Sequence, residues 1–135
     1  MHIDGGCHCG AIRFSADIKP DGVLICHCTD CQILTGAAYR IIVGAPAATF
    51  KLTGKLSIYT KTTADSGARR RQAFCPACGT PIYSSEDSDT PAVYGLRVGA
   101  IRQRAELAPK RQIWRRSALA WAMDLHGLPS VDGQN

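Results

Sequence analysis

The chain has 135 residues, 45% of them apolar, and sixteen lysines and arginines against eleven acidic residues give a formal charge of +5. That composition excludes a disordered chain and suits one domain with a modest core, to which bound metal would add stability. No apolar run reaches the ~18 residues of a membrane span.

Met1 to Gly6 lack the basic and apolar regions of a secretory signal and run straight into Cys7-His8-Cys9. Residues 11–16 alternate apolar with polar and predict a strand, and the apolar run at 22–25 predicts another. That run enters Cys26-His27-Cys28-Thr29-Asp30-Cys31, where residues 29–35 predict a short helix capped by Thr29. Residues 39–43 are rich in β-branched side chains and end at Gly44-Ala45-Pro46. Further strands are expected at 49–52, 57–62, 71–74, 81–84 and 93–98, separated by turn signals such as Thr53-Gly54-Lys55 and Asp65-Ser66-Gly67. A third cluster, Cys75-Pro76-Ala77-Cys78, follows the strand expected at 71–74, and a second short helix is expected at 117–125. Many short strands at this spacing predict a mainly β chain, an antiparallel sheet or sandwich rather than βαβ units. We expect one domain over 1–131 and a loose tail over 132–135.

Seven cysteines in three tight clusters are the main chemical signal. Close pairs bridge themselves poorly, whereas they present two or three thiolates to one tetrahedral zinc. The odd count argues against a secreted disulfide framework, so a reducing cytoplasm is expected. Cys75-Pro-Ala-Cys78-Gly79 has the form of a zinc knuckle and needs two more ligands, which Cys7 and Cys9 can supply. Cys26, Cys28 and Cys31 then remain as a triad. Three thiolates leave one zinc position for water or substrate, the arrangement catalysis uses. Spacing alone leaves open that a side chain completes the triad: His27 lies between two ligands, His8 would have to leave its own pair, and His2 and His126 lie near the termini.

The basic runs at Arg69-Arg70-Arg71, Lys110-Arg111 and Arg115-Arg116 read as solvated faces, and without interleaved aromatics they weigh against nucleic acid as a partner. Asp30 reads first as a cap of the following turn and second as a group that orients a proton or ligand. Tyr39, Phe50, Tyr59, Tyr94, Trp114 and Trp121 read first as core and second as pocket lining.

Gly6-Cys7-His8-Cys9-Gly10-Ala11-Ile12-Arg13-Phe14, Cys26-His27-Cys28-Thr29-Asp30-Cys31 and Phe74-Cys75-Pro76-Ala77-Cys78-Gly79-Thr80-Pro81 together resemble the glutathione-dependent formaldehyde-activating enzyme family, which includes the centromere protein V group. The likeness extends to Ile113-Trp114 and to Ser117-Ala118-Leu119-Ala120-Trp121, nearly the whole chain. The resemblance implies an Mss4-like, zinc-stabilised antiparallel β fold with one or two short helices. It implies two zinc ions per chain, a structural one on Cys7, Cys9, Cys75 and Cys78 and a catalytic one on Cys26, Cys28 and Cys31. The implied activity is that of a carbon-sulfur lyase on a thiol-aldehyde adduct, with glutathione and formaldehyde as the named pair and no membrane partner. The alternatives are a zinc-stabilised binding module and a zinc or thiol redox sensor. One departure is Gln32, which stands where many relatives carry a basic residue.

Overall fold

The computed structural model describes residues 1–134; Asn135, the last residue of the expected tail, lies outside the described residues. Strands β1 (His2–Gly6), β2 (Arg13–Asp17) and β5 (Lys51–Thr53) form a small antiparallel sheet in the order β1-β2-β5. A seven-stranded sheet is built from β3 (Leu24–Cys26), β4 (Arg40–Pro46), β6 (Ser57–Lys61), β7 (Arg70–Phe74), β8 (Pro81–Glu86), β9 (Val93–Arg97) and β10 (Arg111–Ile113). Its order is β10-β3-β4-β9-β8-β7-β6. Every pairing is antiparallel except β10 with β3, which run parallel.

Alternation in these strands sorts side chains onto two faces. Val43, Ala45 and Leu96 face inward and join Ile3, Phe14 and Ala16 of the small sheet in one buried core, with Phe50, Tyr83 and Tyr94 packed against it. The sheets approach closely at Gly5, where any Cβ would come within 2.2 Å of the Ala100 carbonyl oxygen, so no larger residue fits there. The other face of the large sheet carries the polar residues. Cross-strand partners Cys26 and Arg40, Ile42 and Arg97, Ser84 and Gly95, Gln72 and Ser84, and Lys61 and Arg70 run across it from strand to strand. A Cβ on Gly95 would meet Ser84 Oγ at 3.1 Å and Ile42 Cγ2 at 3.3 Å, which places those strands' side chains on one face.

Two strands, β1 and β10, were not expected. His2-Ile3-Asp4-Gly5-Gly6 has one buried apolar residue, and Arg111-Gln112-Ile113 is a three-residue strand whose parallel partner lies far away in sequence. Helix α1 (Thr29–Thr35) is where the sequence predicts it, but its N-cap is Cys28 rather than Thr29. The helix expected at 117–125 is instead two 3-10 turns, Arg115–Ser117 and Ala120–Met123. No residue of that stretch is buried, and so short a helix does not hold without a packed face. No helix among the described residues is long and apolar enough to cross a membrane.

Candidate metal centres

The seven thiols are free, and the structure gathers them into the two expected groups: Cys7, Cys9, Cys75 and Cys78, and Cys26, Cys28 and Cys31. Within each group all sulfurs lie within 4.8 Å of one another.

In the four-cysteine group two similar turns face each other. Cys7 and Gly10 close one turn with Gly10 at φ 85°, and Cys75 and Gly79 close the other with Gly79 at φ 78°. Both glycines occupy the left-handed region that a side chain resists. The Ile12 amide donates to Cys7 Sγ at 3.2 Å, and Thr80 joins the two turns by accepting from the His8 amide at 3.0 Å and meeting Cys78 Sγ at 3.2 Å. The Thr80 hydroxyl is the main reason the Cys78 thiol is pulled down to about 5. Burial pushes the Cys7 thiol up most strongly, but the Ile12 amide together with the Cys9 and Cys75 sulfurs holds it below its usual value, whereas Cys9, despite the Ala11 amide, is pushed up to about 11 by the other sulfurs. Cys7 to Cys9 is 3.6 Å and Cys9 to Cys75 is 3.8 Å. Sulfurs about 2.3 Å from a tetrahedral zinc stand about 3.8 Å apart, so the cluster fits that ion, and an all-sulfur donor set favours it.

The triad is local. Cys26 ends β3, Cys28 caps α1 by accepting from the Cys31 amide at 3.3 Å, and Cys31 lies in the first turn. Its backbone is held from far along the chain. The His27 amide donates to Ile113 O at 3.1 Å, the His27 ring to Gln112 Oε1 at 2.7 Å, and Gln32 Nε2 to both His27 O and Ser117 O at 2.9 Å. Gln32 is therefore a clamp on the loop. His27 is fully buried and occupied by Gln112, with its ring edge-on to Tyr39, and among the described residues no histidine or carboxylate joins the three sulfurs.

The triad opens into a cavity of about 460 Å³ whose lining includes Lys61, Arg70, Gln72, Ser84, Arg97 and Trp114. A second cavity of about 550 Å³ shares Leu34, Gln72 and Arg97 with it and extends over Tyr59, Phe74 and Pro81. Asp30 caps nothing: it is bound at 2.8 Å by both Lys61 Nζ and Thr63 Oγ1, and Lys61 holds its carboxyl below the usual range. At the rim Trp114 adopts φ 56°, the one non-glycine left-handed residue among those described; Arg116 stacks on its ring at 4.7 Å and reaches Asp65 at 3.2 Å. The basic runs thus divide: Arg69 and Arg71 pair with Asp87 on the surface, while Arg70 and Arg116 face the cavity. Of the aromatics, Phe50 and Tyr94 pack on the core, Trp114 and Tyr59 line cavities, and Trp121 is exposed.

The sequence reading passed over Arg40 and Arg97, both buried on the cavity side of the large sheet. Each interrupts a run of strand-forming residues, Tyr39-Arg40-Ile41-Ile42-Val43 and Leu96-Arg97-Val98, and a charge inside such a run is a detectable signal. The Cys26 thiol is the main reason Cys31 is pulled down to about 5 against its burial, with Cys28, Arg40 and Arg97 assisting. Cys26 is pushed up chiefly by Cys31, and Cys28 chiefly by burial. Burial, then the charge of Arg40, lowers Arg97 to about 9, which leaves it protonated at neutral pH.

The sequence profile of the family described as glutathione-dependent formaldehyde-activating enzyme matches residues 2–117. Among solved structures, a crystal structure of a Rhodobacter sphaeroides protein from a structural-genomics programme superposes with a TM-score of 0.61 at 19% identity, over 81% of this chain and 98% of that one. That likeness is one of fold.

Proposed function

This chain belongs to the glutathione-dependent formaldehyde-activating enzyme family, and on that premise we propose that it makes or breaks the carbon-sulfur bond of a thiol-aldehyde adduct, with zinc at both cysteine groups. The observation that carries the reading is the triad itself: three converging sulfurs, no fourth side-chain ligand among the described residues, and an open cavity beside them. Cys7, Cys9, Cys75 and Cys78 would hold a closed structural ion, and Cys26, Cys28 and Cys31 would hold the second. An ion at the triad supplies a Lewis-acid position that lowers a thiol's pKa and stabilises a departing thiolate.

The chain's own residues do the rest. Lys61 pairs with Asp30 and Arg116 with Asp65 at the cavity edge, while Arg70, which has no ion pair among the described residues, leaves a basic group suited to a thiol that carries carboxylates, as glutathione does. Gln72 and Ser84 supply neutral hydrogen-bonding groups along the wall for a hydroxyl or carbonyl oxygen. We assign residues 1–131 to one zinc domain working in a reducing cytoplasm, where seven free thiols persist. A non-catalytic module would need the fourth position closed by a side chain, and the geometry favours the open alternative.

Glutathione and formaldehyde combine without a catalyst, so the test is exchange between free and adduct forms at equilibrium, followed by NMR magnetisation transfer. The protein is expected to accelerate exchange, and folded Cys28→Ser is expected to lose the acceleration. If wild type speeds exchange for neither glutathione nor other small thiols, the lyase reading fails.

A further inference from the structure

Arg40 and Arg97 are buried cations with no carboxylate. They are 5% and 7% exposed, neither forms an ion pair among the described residues, and Nε of each is buried without a partner. Arg97 makes one side-chain hydrogen bond, from Nη2 to Gln72 Oε1 at 2.6 Å. Buried charge left uncompensated is strongly destabilising, so a negative group must lie beside them. The strand register identifies it. Arg40 stands directly opposite Cys26 across β3 and β4, where paired side chains lie side by side on one face. Arg97 stands opposite Ile42, one same-face step along β4, and lines the cavity into which the triad opens.

Three thiolates around a divalent ion leave one negative charge, and two guanidiniums turn the assembly positive before a fourth ligand arrives. An anion in the fourth position neutralises it; a neutral donor leaves net charge in a poorly solvated site. We propose that Arg40 and Arg97 make the fourth position of the triad site select an anionic ligand, a thiolate in turnover, over neutral donors such as a carbonyl oxygen. The inference rests on the functional reading above and deepens it: of the two reactants the thiol takes that position, its proton leaving to solvent, and the uncharged aldehyde is left to the cavity. The four-cysteine group has no buried arginine, and it needs none to set selectivity because its own sulfurs fill all four positions.

The test uses cobalt-loaded protein at neutral pH and the visible spectrum of the triad ion, titrated with thiocyanate, an anionic sulfur ligand, and thiourea, a neutral one. Wild type is expected to bind thiocyanate at least about tenfold more tightly than thiourea. Arg97→Gln and Arg40→Gln are expected to weaken thiocyanate about tenfold while leaving thiourea unchanged or tighter, and Arg97→Lys to stay within about threefold of wild type. Absence of anion preference in wild type overturns the proposal without recourse to any variant. So does a parallel fall of both ligands in the glutamine variants, which would mark the arginines as merely structural. Should the glutamine variants fail to fold, wild-type selectivity retained in Arg97→Lys supports the proposal, and selectivity lost with the charge kept overturns it. Thiocyanate preference without adduct exchange would remove the lyase reading and leave this one; exchange without anion preference would do the reverse.

Discussion

At the four-cysteine group the sulfurs are met by backbone amides and the Thr80 hydroxyl, at the ends of two turns that begin 68 positions apart, at Cys7 and Cys75. At the triad they come from one loop of six residues and sit against the charges of Arg40 and Arg97. The first group ties distant parts of the chain together and presents Cys9 and Cys78 to solvent, which screens its charge. The second ties nothing distant through its sulfurs and is held from outside by Gln112, Ile113 and, through Gln32, Ser117. On the two-zinc reading, the same ligand type would therefore serve as a staple in one place and as a reactive surface in the other, depending on where its ligands come from in sequence and on what lies behind them.

Breaking the staple should have the largest effect. Cys75→Ser or Cys7→Ser is expected to cost about 4 kcal/mol or more, enough to unfold or aggregate a chain of ordinary stability. Cys28→Ser should remain folded with one metal ion per chain, read by metal analysis and thermal melting. Equal destabilisation by both substitutions would erase the distinction between the groups.

A chemical version sharpens the contrast. With the triad ion removed by a mild chelator and the four-cysteine ion retained, iodoacetamide should label Cys31 first and Cys26 last, with Cys31 labelling setting in near pH 5. Because the folded value lies below the ordinary 9.0, the Cys31 thiolate's contribution to stability is complete above pH 9.0 and lost as pH falls through about 5. Peptide mapping that found all three thiols labelled alike, with ordinary thiol pH dependence, would show that the loop does not hold a thiolate at neutral pH.

The smallest effect concerns the outside support. Gln32→Ala leaves the His27 and Ser117 carbonyls without their donor and should cost about 1–2 kcal/mol. The cobalt spectrum of the triad should broaden while that of the four-cysteine group stays the same. A stability loss with both spectra unchanged would mean that Gln32 supports the C-terminal segment rather than the triad.

Much of this was readable from residue order. Eight of the ten strands fall on stretches whose apolar or β-branched pattern predicts them, and both cysteine groups assemble as expected. What escaped depends on tertiary pairing. Residues 111–113 form a strand only because β3 offers an edge, and Cys28 displaces Thr29 as cap because its sulfur faces the Cys31 amide. Arg40 and Arg97 were missed for a related reason. A polar residue on a strand is ordinarily read as facing water, and nothing local shows that α1 and residues 113–117 line one cavity with the second face of the large sheet.

The parallel pairing of β10 with β3 also bears on how the chain is made. The triad loop leaves the ribosome early, but its hydrogen-bond partners at Gln112, Ile113 and Ser117 follow some 85 residues later. Contacts of such long range form late because the intervening chain must first be closed into a loop. Until then the three thiols sit on an unsupported segment, open to oxidation or to the wrong metal, while Cys7 and Cys9 need only Cys75 and Cys78 to complete their set. On the two-zinc reading proposed above, the nascent chain should thus acquire its ions in sequence, the ion of the four-cysteine group first, and the moment at which residues 111–117 dock should decide when the triad becomes competent.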